Sequence, residues 1–110
     1  MYSTDSQATS LIRSGQTVLV VFSMAGCSPC VQMSPIIDRI AANYRGRCSV
    51  IRMSIDDTTL HRQLGINSVP TIVLFKGGAN VWSHNGLASE AMLNRALSQH
   101  CWNESISKNY

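Results

Sequence analysis

Hydrophobic positions along this chain alternate between two spacings. Val18 to Phe22 is a continuous run of β-branched, aliphatic and aromatic residues, the pattern of a strand buried on both faces. Met33, Ile36, Ile37, Ile40, Ala41 and Tyr44 then recur at helical spacing and form one apolar stripe, which predicts a long helix ending near Gly46. Pro35 falls inside it, removes a backbone bond and crowds the carbonyl of Val31, so a kink is expected. Upstream, Leu11 and Ile12 mark a short helical stretch closed by Gly15. Val50 to Ile55 reads as a second strand, with Asp56 and Asp57 as candidate caps of a short helix that Gly65 ends. Thr71 to Phe75 is a third strand, Lys76-Gly77-Gly78 a hairpin turn, and Val81 and Trp82 mark a fourth strand. Met92, Leu93, Ala96, Leu97 and Cys101 share one face of a last helix, with Ser89 as its N-cap.

This order is α, β, α, β, α, β, β, α. A helix joins the first two strands, so they should run parallel with a right-handed crossover, while the final hairpin must be antiparallel. The expectation is one α/β domain over residues 1–110, a small mixed sheet with helices on both faces. Residues 1–8 and 103–110 are polar and are expected to be loose.

Composition narrows the function classes. With 45% apolar and 14% charged residues in 110, the chain suits a compact globule that buries a core without staples. Its net charge of +3 comes from scattered Lys and Arg that form no basic stripe, so no nucleic-acid partner is expected. The longest apolar run, Val18 to Phe22, is far short of the ~20 residues a membrane-spanning helix needs, so no membrane partner is expected either. The opening residues are polar, with neither a basic segment nor an apolar one behind it, so the expectation is a chain without a signal peptide. Such a chain stays in a reducing, cytoplasmic compartment, where cysteines are catalytic or metal-binding more often than structural.

Cys27-Ser28-Pro29-Cys30 lies where the first strand hands over to the long helix. Free N–H groups and the positive dipole end of that helix stabilise a thiolate, and such placement in C-x-x-C motifs lowers the cysteine pKa. Pro29 falls in the first helical turn, where its missing N–H costs little. The spacing lets the two sulfurs cycle between dithiol and disulfide. Cys27, at the turn, is the candidate nucleophile; Cys30, one turn in, resolves the mixed disulfide. A C-x-x-C pair is also half of a zinc site, which needs two further ligands at matching spacing. Cys48 and Cys101 are isolated, and His61, His84 and His100 form no paired motif, so no metal is expected. Cys48 and Cys101 read as packing residues, Trp82 and Trp102 as core or hairpin cover, and the three histidines as surface residues.

From about Leu11 to Cys101 the chain resembles the thioredoxin family. The residues that carry the resemblance are Val18 to Phe22, the Cys27-Ser28-Pro29-Cys30 motif, the helix with Pro35, Ser54-Ile55-Asp56, Gly65-Ile66, Val69-Pro70-Thr71, Phe75-Lys76-Gly77-Gly78 and Gly86-Leu87. The resemblance implies the thioredoxin fold, with four strands, or five should the segment before Leu11 pair with the sheet. It implies a protein-disulfide reductase with no cofactor beyond its own Cys27–Cys30 disulfide. Its partners would be disulfide-containing protein substrates and a thioredoxin-reductase-like electron donor. Ser28 and Pro29 would support the cysteines, and Val69-Pro70 would be a cis peptide facing Cys27. Gly26, Val69 and Gly86 would line the substrate groove, with the Val69 backbone pairing to an extended substrate.

Several positions depart from the family pattern. Val21 stands where a buried acid usually assists the resolving cysteine. Gly26 and Ser23 replace tryptophans, which predicts a less apolar and more mobile rim. Ser28 replaces a glycine and Val31 a basic residue. The usual first strand is missing, which leaves one sheet edge open to pairing with another molecule. The altered rim and lost acid favour a dedicated substrate. Two other readings stay open: a binding, chaperone or assembly module with little turnover, and a disulfide oxidase or isomerase, which needs an oxidising compartment.

Overall fold

A computed structural model describes residues 2–102. Its elements are α1 (Asp5–Arg13), β1 (Val18–Ser23), α2 (Ser28–Asn43), β2 (Ser49–Ser54), α3 (Leu60–Gln63), β3 (Thr71–Lys76), β4 (Ala79–Asn85) and α4 (Glu90–Leu97), followed by a π-helical turn, Ser98–Trp102. The strands form one sheet in the order β2-β1-β3-β4. β1 pairs in parallel with β2 and antiparallel with β3, and β3 and β4 form the antiparallel hairpin. Gly77 and Gly78 turn that hairpin at φ of 62° and 83°, left-handed backbone that a two-residue turn of this kind requires. The helix α2 runs through Pro35 as one element.

Every residue of β1 is buried, because successive side chains point to opposite faces and both faces are covered. Leu19 and Val21 join Ile72 and Leu74 of β3 beneath Ile37 and Ile40 of α2 and Leu93 and Leu97 of α4. Val18, Val20 and Phe22 join Val73 and Phe75 beneath Ala8 of α1 and Leu60 of α3. Met92, expected on the buried face of the last helix, is 37% exposed. Ser89 caps α4, its hydroxyl accepting from the Met92 N–H at 3.1 Å.

Part of the amino-terminal segment is helical. Thr4 and Gln7 form a capping box: the Thr4 hydroxyl accepts from the Gln7 N–H, and the Gln7 side chain accepts from the Thr4 N–H. Helix α1 therefore starts at Asp5. The N–H of Ser3 donates to the Arg52 carbonyl at 2.7 Å, one rung where a fifth strand would lie, and the sheet has four strands. The expectations for residues 103–110 and for the Trp102 side chain lie outside the described residues.

Asp56 and Asp57 do not cap the short helix. Its N-terminus is Thr59, whose side chain makes no capping bond. Instead Asp5 of α1 reaches across, one carboxylate accepting from the N–H groups of Thr59 at 3.0 Å and Leu60 at 2.9 Å. His61, expected at the surface, is buried beside Leu60, with Nδ1 enclosed and without a hydrogen-bond partner. A helix of one turn pressed against the sheet turns consecutive residues inward. His84 and His100 lie at the surface, half-buried.

Two expectations follow. Leu19→Ala, at a fully buried site between β1 and the α2–α4 layer, should cost about 2–5 kcal/mol in chemical denaturation, with an unchanged m-value. Burial raises the Asp5 carboxyl, but the bonds from Thr59 and Leu60 and the nearby His61 ring outweigh it and hold it below the ordinary 3.8. Its contribution is thus complete above that pH and is lost as pH falls through the lowered native value. Asp5→Ala should melt below the parent chain at pH 7, and the gap in Tm should close below about pH 4; a gap constant down to pH 2 would contradict this role.

Candidate active site

The junction of β1 and α2 builds the site. After Ser23 the chain leaves the sheet, and Gly26 takes a φ of 76° to redirect it into the helix. A Cβ at Gly26 would meet nothing within 4 Å, so the demand for glycine there is conformational. Cys27 is the N-cap of α2, in extended conformation, with its Sγ accepting from the Cys30 N–H at 3.2 Å. Ser28 and Pro29 form the first helical turn. Cys27 and Cys30 are joined as a disulfide with their Cα atoms 5.3 Å apart, and both are half-buried.

The loop before Cys27 is held from below. The Asp56 carboxylate accepts from the Ala25 N–H at 3.0 Å, and the Ile55 N–H donates to the Ser23 carbonyl at 2.9 Å. This anchoring role escaped the sequence reading, which gave Asp56 to a helix cap. Its signal was present in Ser54-Ile55-Asp56, at the end of the strand that pairs with β1. Opposite, the Val69–Pro70 peptide is cis. The Thr71 hydroxyl donates to the Ser68 carbonyl at 2.8 Å, and the Gly86 N–H donates to the Pro70 carbonyl at 2.7 Å. Val69 and Gly86 are half-buried beside Pro70 in sequence and in hydrogen bonding, respectively. A Cβ on Gly86 would also meet open space, and its φ of 90° is what calls for glycine.

Cys30 and Pro70 line one recess of about 180 Å³ together with Val21, Met24, Val31 and Arg52. Val21 is 5% exposed and presents no proton acceptor to the resolving sulfur. Its cross-strand partner is Arg52, whose guanidinium pairs with Asp38 of α2 at 2.6 Å and donates to the Ser34 carbonyl at 3.2 Å. Met24 and Val31 are 42% and 71% exposed, so the rim keeps apolar surface where aromatic cover is missing. Among the described residues no cluster of His, Cys, Asp and Glu is placed to hold a metal ion.

A disulfide at a helix N-terminus, beside an exposed apolar rim, places this chain among dithiol–disulfide exchange proteins. The family model for thioredoxin matches residues 2–99. The chain is similar to Thioredoxin 1 of Nostoc sp., 36% identical over 84 residues that span 76% of this chain and 78% of that protein. It is also similar to the thioredoxin of Rickettsia felis, 37% identical over 84 residues, 76% of this chain and 80% of that one. Thioredoxin 2 of Chlorobaculum tepidum is 31% identical over 91 residues, 82% of this chain and 84% of that one. The chain belongs to the thioredoxin family and is a thioredoxin-like protein-disulfide reductase. Membership brings disulfide substrates and a reductase that donates electrons, and the redox group is the protein's own disulfide.

Loss of the Asp56 anchor tests how far the loop depends on it. Asp56→Ala should lower stability by about 1 kcal/mol and slow disulfide exchange, whereas Asp56→Asn, which keeps an acceptor, should lie closer to the parent in both denaturation and turnover assays.

Proposed function

We propose that this chain reduces protein disulfides with Cys27 as the attacking sulfur and Cys30 as the resolving one. The observation that carries the reading is the position of Cys27 Sγ at the cap of α2, within reach of the Cys30 N–H. The free N–H groups and dipole of the helix end favour negative charge on that sulfur. In the reduced protein, the Cys27 thiolate attacks one sulfur of the substrate disulfide. A Cys27–substrate disulfide forms, and the other substrate sulfur leaves as a thiolate that takes a proton from water. Cys30 then releases its proton to solvent through the recess it lines, since Val21 offers no acceptor. The Cys30 thiolate attacks Cys27 Sγ, closes the Cys27–Cys30 disulfide and expels the second substrate thiolate. The substrate has gained an electron pair and the protein has lost one.

Ser28 and Pro29 hold the turn between the sulfurs. Pro70 faces them, Val69 offers backbone groups to an extended substrate, and Gly26 and Gly86 shape the groove around it. A thioredoxin-reductase-like donor returns the electrons. The working compartment is the cytoplasm, where reduced thiols persist. Scattered basic residues support no nucleic-acid partner, and no helix among the described residues is long and apolar enough to cross a membrane. The Val21 substitution and the Met24–Val31 rim support a narrow set of substrates over general housekeeping.

The equilibrium potential of the Cys27–Cys30 pair against glutathione should lie at or below about −220 mV, and Cys30→Ser should accumulate a mixed disulfide with substrate that dithiothreitol releases. A potential near about −180 to −120 mV would reassign the chain as an isomerase or oxidant. A pair that never closes in the native protein would leave a binding module.

A further inference from the structure

The chain has four cysteines, and the two outside the active site are free and buried. Cys48 precedes β2 and Cys101 lies in the π-helical turn after α4, far apart in sequence. Both are buried, at 7% and 5% exposure, in the one apolar cluster that α2, α4 and the sheet enclose. Their thiols are in hydrogen-bond contact, and the Cys48 Sγ also donates to the Ser49 carbonyl at 3.5 Å. Helix α2 separates this pair from the catalytic one: its 16 residues span about 24 Å, with Cys27 at its start and Cys48 beyond its end. Neither pair can exchange directly with the other.

Cys48 is buried, yet it has an opening toward the surface. It lines a surface recess of about 440 Å³ with Gly15, Gln16, Thr17, Gly46 and Arg47. A recess of that size admits a hydroperoxide. We propose that Cys48 and Cys101 form a second oxidisable dithiol, which a hydroperoxide converts to a disulfide joining the end of α4 to the start of β2. The peroxide O–O bond breaks at the Cys48 sulfur, which becomes a sulfenic acid while the alcohol, or water, departs. The Cys101 sulfur then attacks Cys48, the S–S bond forms and water leaves. Two thiols have lost an electron pair and the peroxide has gained it.

The hydrogen bond with Cys101 and burial both push the Cys48 thiol above its ordinary range. Its thiolate is scarce, so this pair reacts after Cys27 and Cys30 and stays out of protein-disulfide exchange. Cys101 sits in a wide helical turn at the end of a helix.

The test uses the unsubstituted, fully reduced chain, treated without denaturant with hydrogen peroxide. Remaining thiols are alkylated at intervals and the peptides mapped without reduction. The expected result is early closure of Cys27–Cys30, then a Cys48–Cys101 cross-linked peptide formed at least about tenfold more slowly. Persistent alkylation of both residues, sulfinic acid at Cys48 without a bridge, or cross-links between chains through Cys101 would each overturn the proposal. Cys101→Ser should accumulate a Cys48 sulfenic acid trapped by dimedone, and its absence in the folded variant would also overturn it. Should that variant fail to fold, the map of the unsubstituted chain still decides.

Discussion

Burial of β1 on both faces is the constraint on which the rest depends. A strand that is apolar from Val18 through Phe22 can be stable only if two layers of apolar side chains cover it. That demand fixes α2 and α4 on one side and α1 and α3 on the other. It also places β1 in the interior of the sheet, between β2 and β3, where its backbone groups are paired on both edges. Leaving the sheet at Ser23, the chain has one way to cover the strand it has just made, and α2 folds back over Leu19 and Val21.

The chemistry sits at that reversal because reversal exposes what the core cannot use. The first N–H groups of α2 have no carbonyl behind them, so a sulfur at the cap finds donors and a favourable dipole. Neighbouring segments converge on the same end of the sheet. Asp56 at the end of β2 fastens the loop before Cys27, while Pro70 at the start of β3 stands beside Cys30 in the recess. Gly86, at the end of β4, is tied to Pro70 by a backbone bond. The active site is thus assembled by strand ends brought into register, and its rigidity is that of the sheet.

Around this shared frame the chain has made its own choices. Val21 makes the cross-strand layer behind the resolving cysteine apolar, and Arg52 beside it turns to Asp38 on the helix. Apolar exposure at Met24 and Val31 stands in for aromatic cover. The amino terminus supplies one rung to β2 and then becomes a helix whose first acidic residue caps α3. Two buried thiols at the far end of α2 complete a molecule with a cysteine pair at each end of its longest helix.

Periodicity and turn chemistry were enough to read the element order, the parallel and antiparallel pairings, the two-sided burial of β1, the Ser89 cap and the placement of Cys27 and Cys30 at a helix start. These are local properties: they depend on spacing along the chain and on what individual residues permit in the backbone. Thr4-x-x-Gln7 was just as local a signal for the start of α1, yet the polarity of that segment masked it. Other features belong only to the folded chain. The cap that Asp5 provides to Thr59 and Leu60, the grip of Asp56 on Ala25, the inward turn of His61 and the meeting of Cys48 with Cys101 each join groups far apart in sequence. Their identities alone do not say which will meet, because the meeting is decided by how the helices pack across the sheet. Sequence spacing determined the elements and the reactive motif; tertiary packing decided which distant polar and sulfur groups became partners.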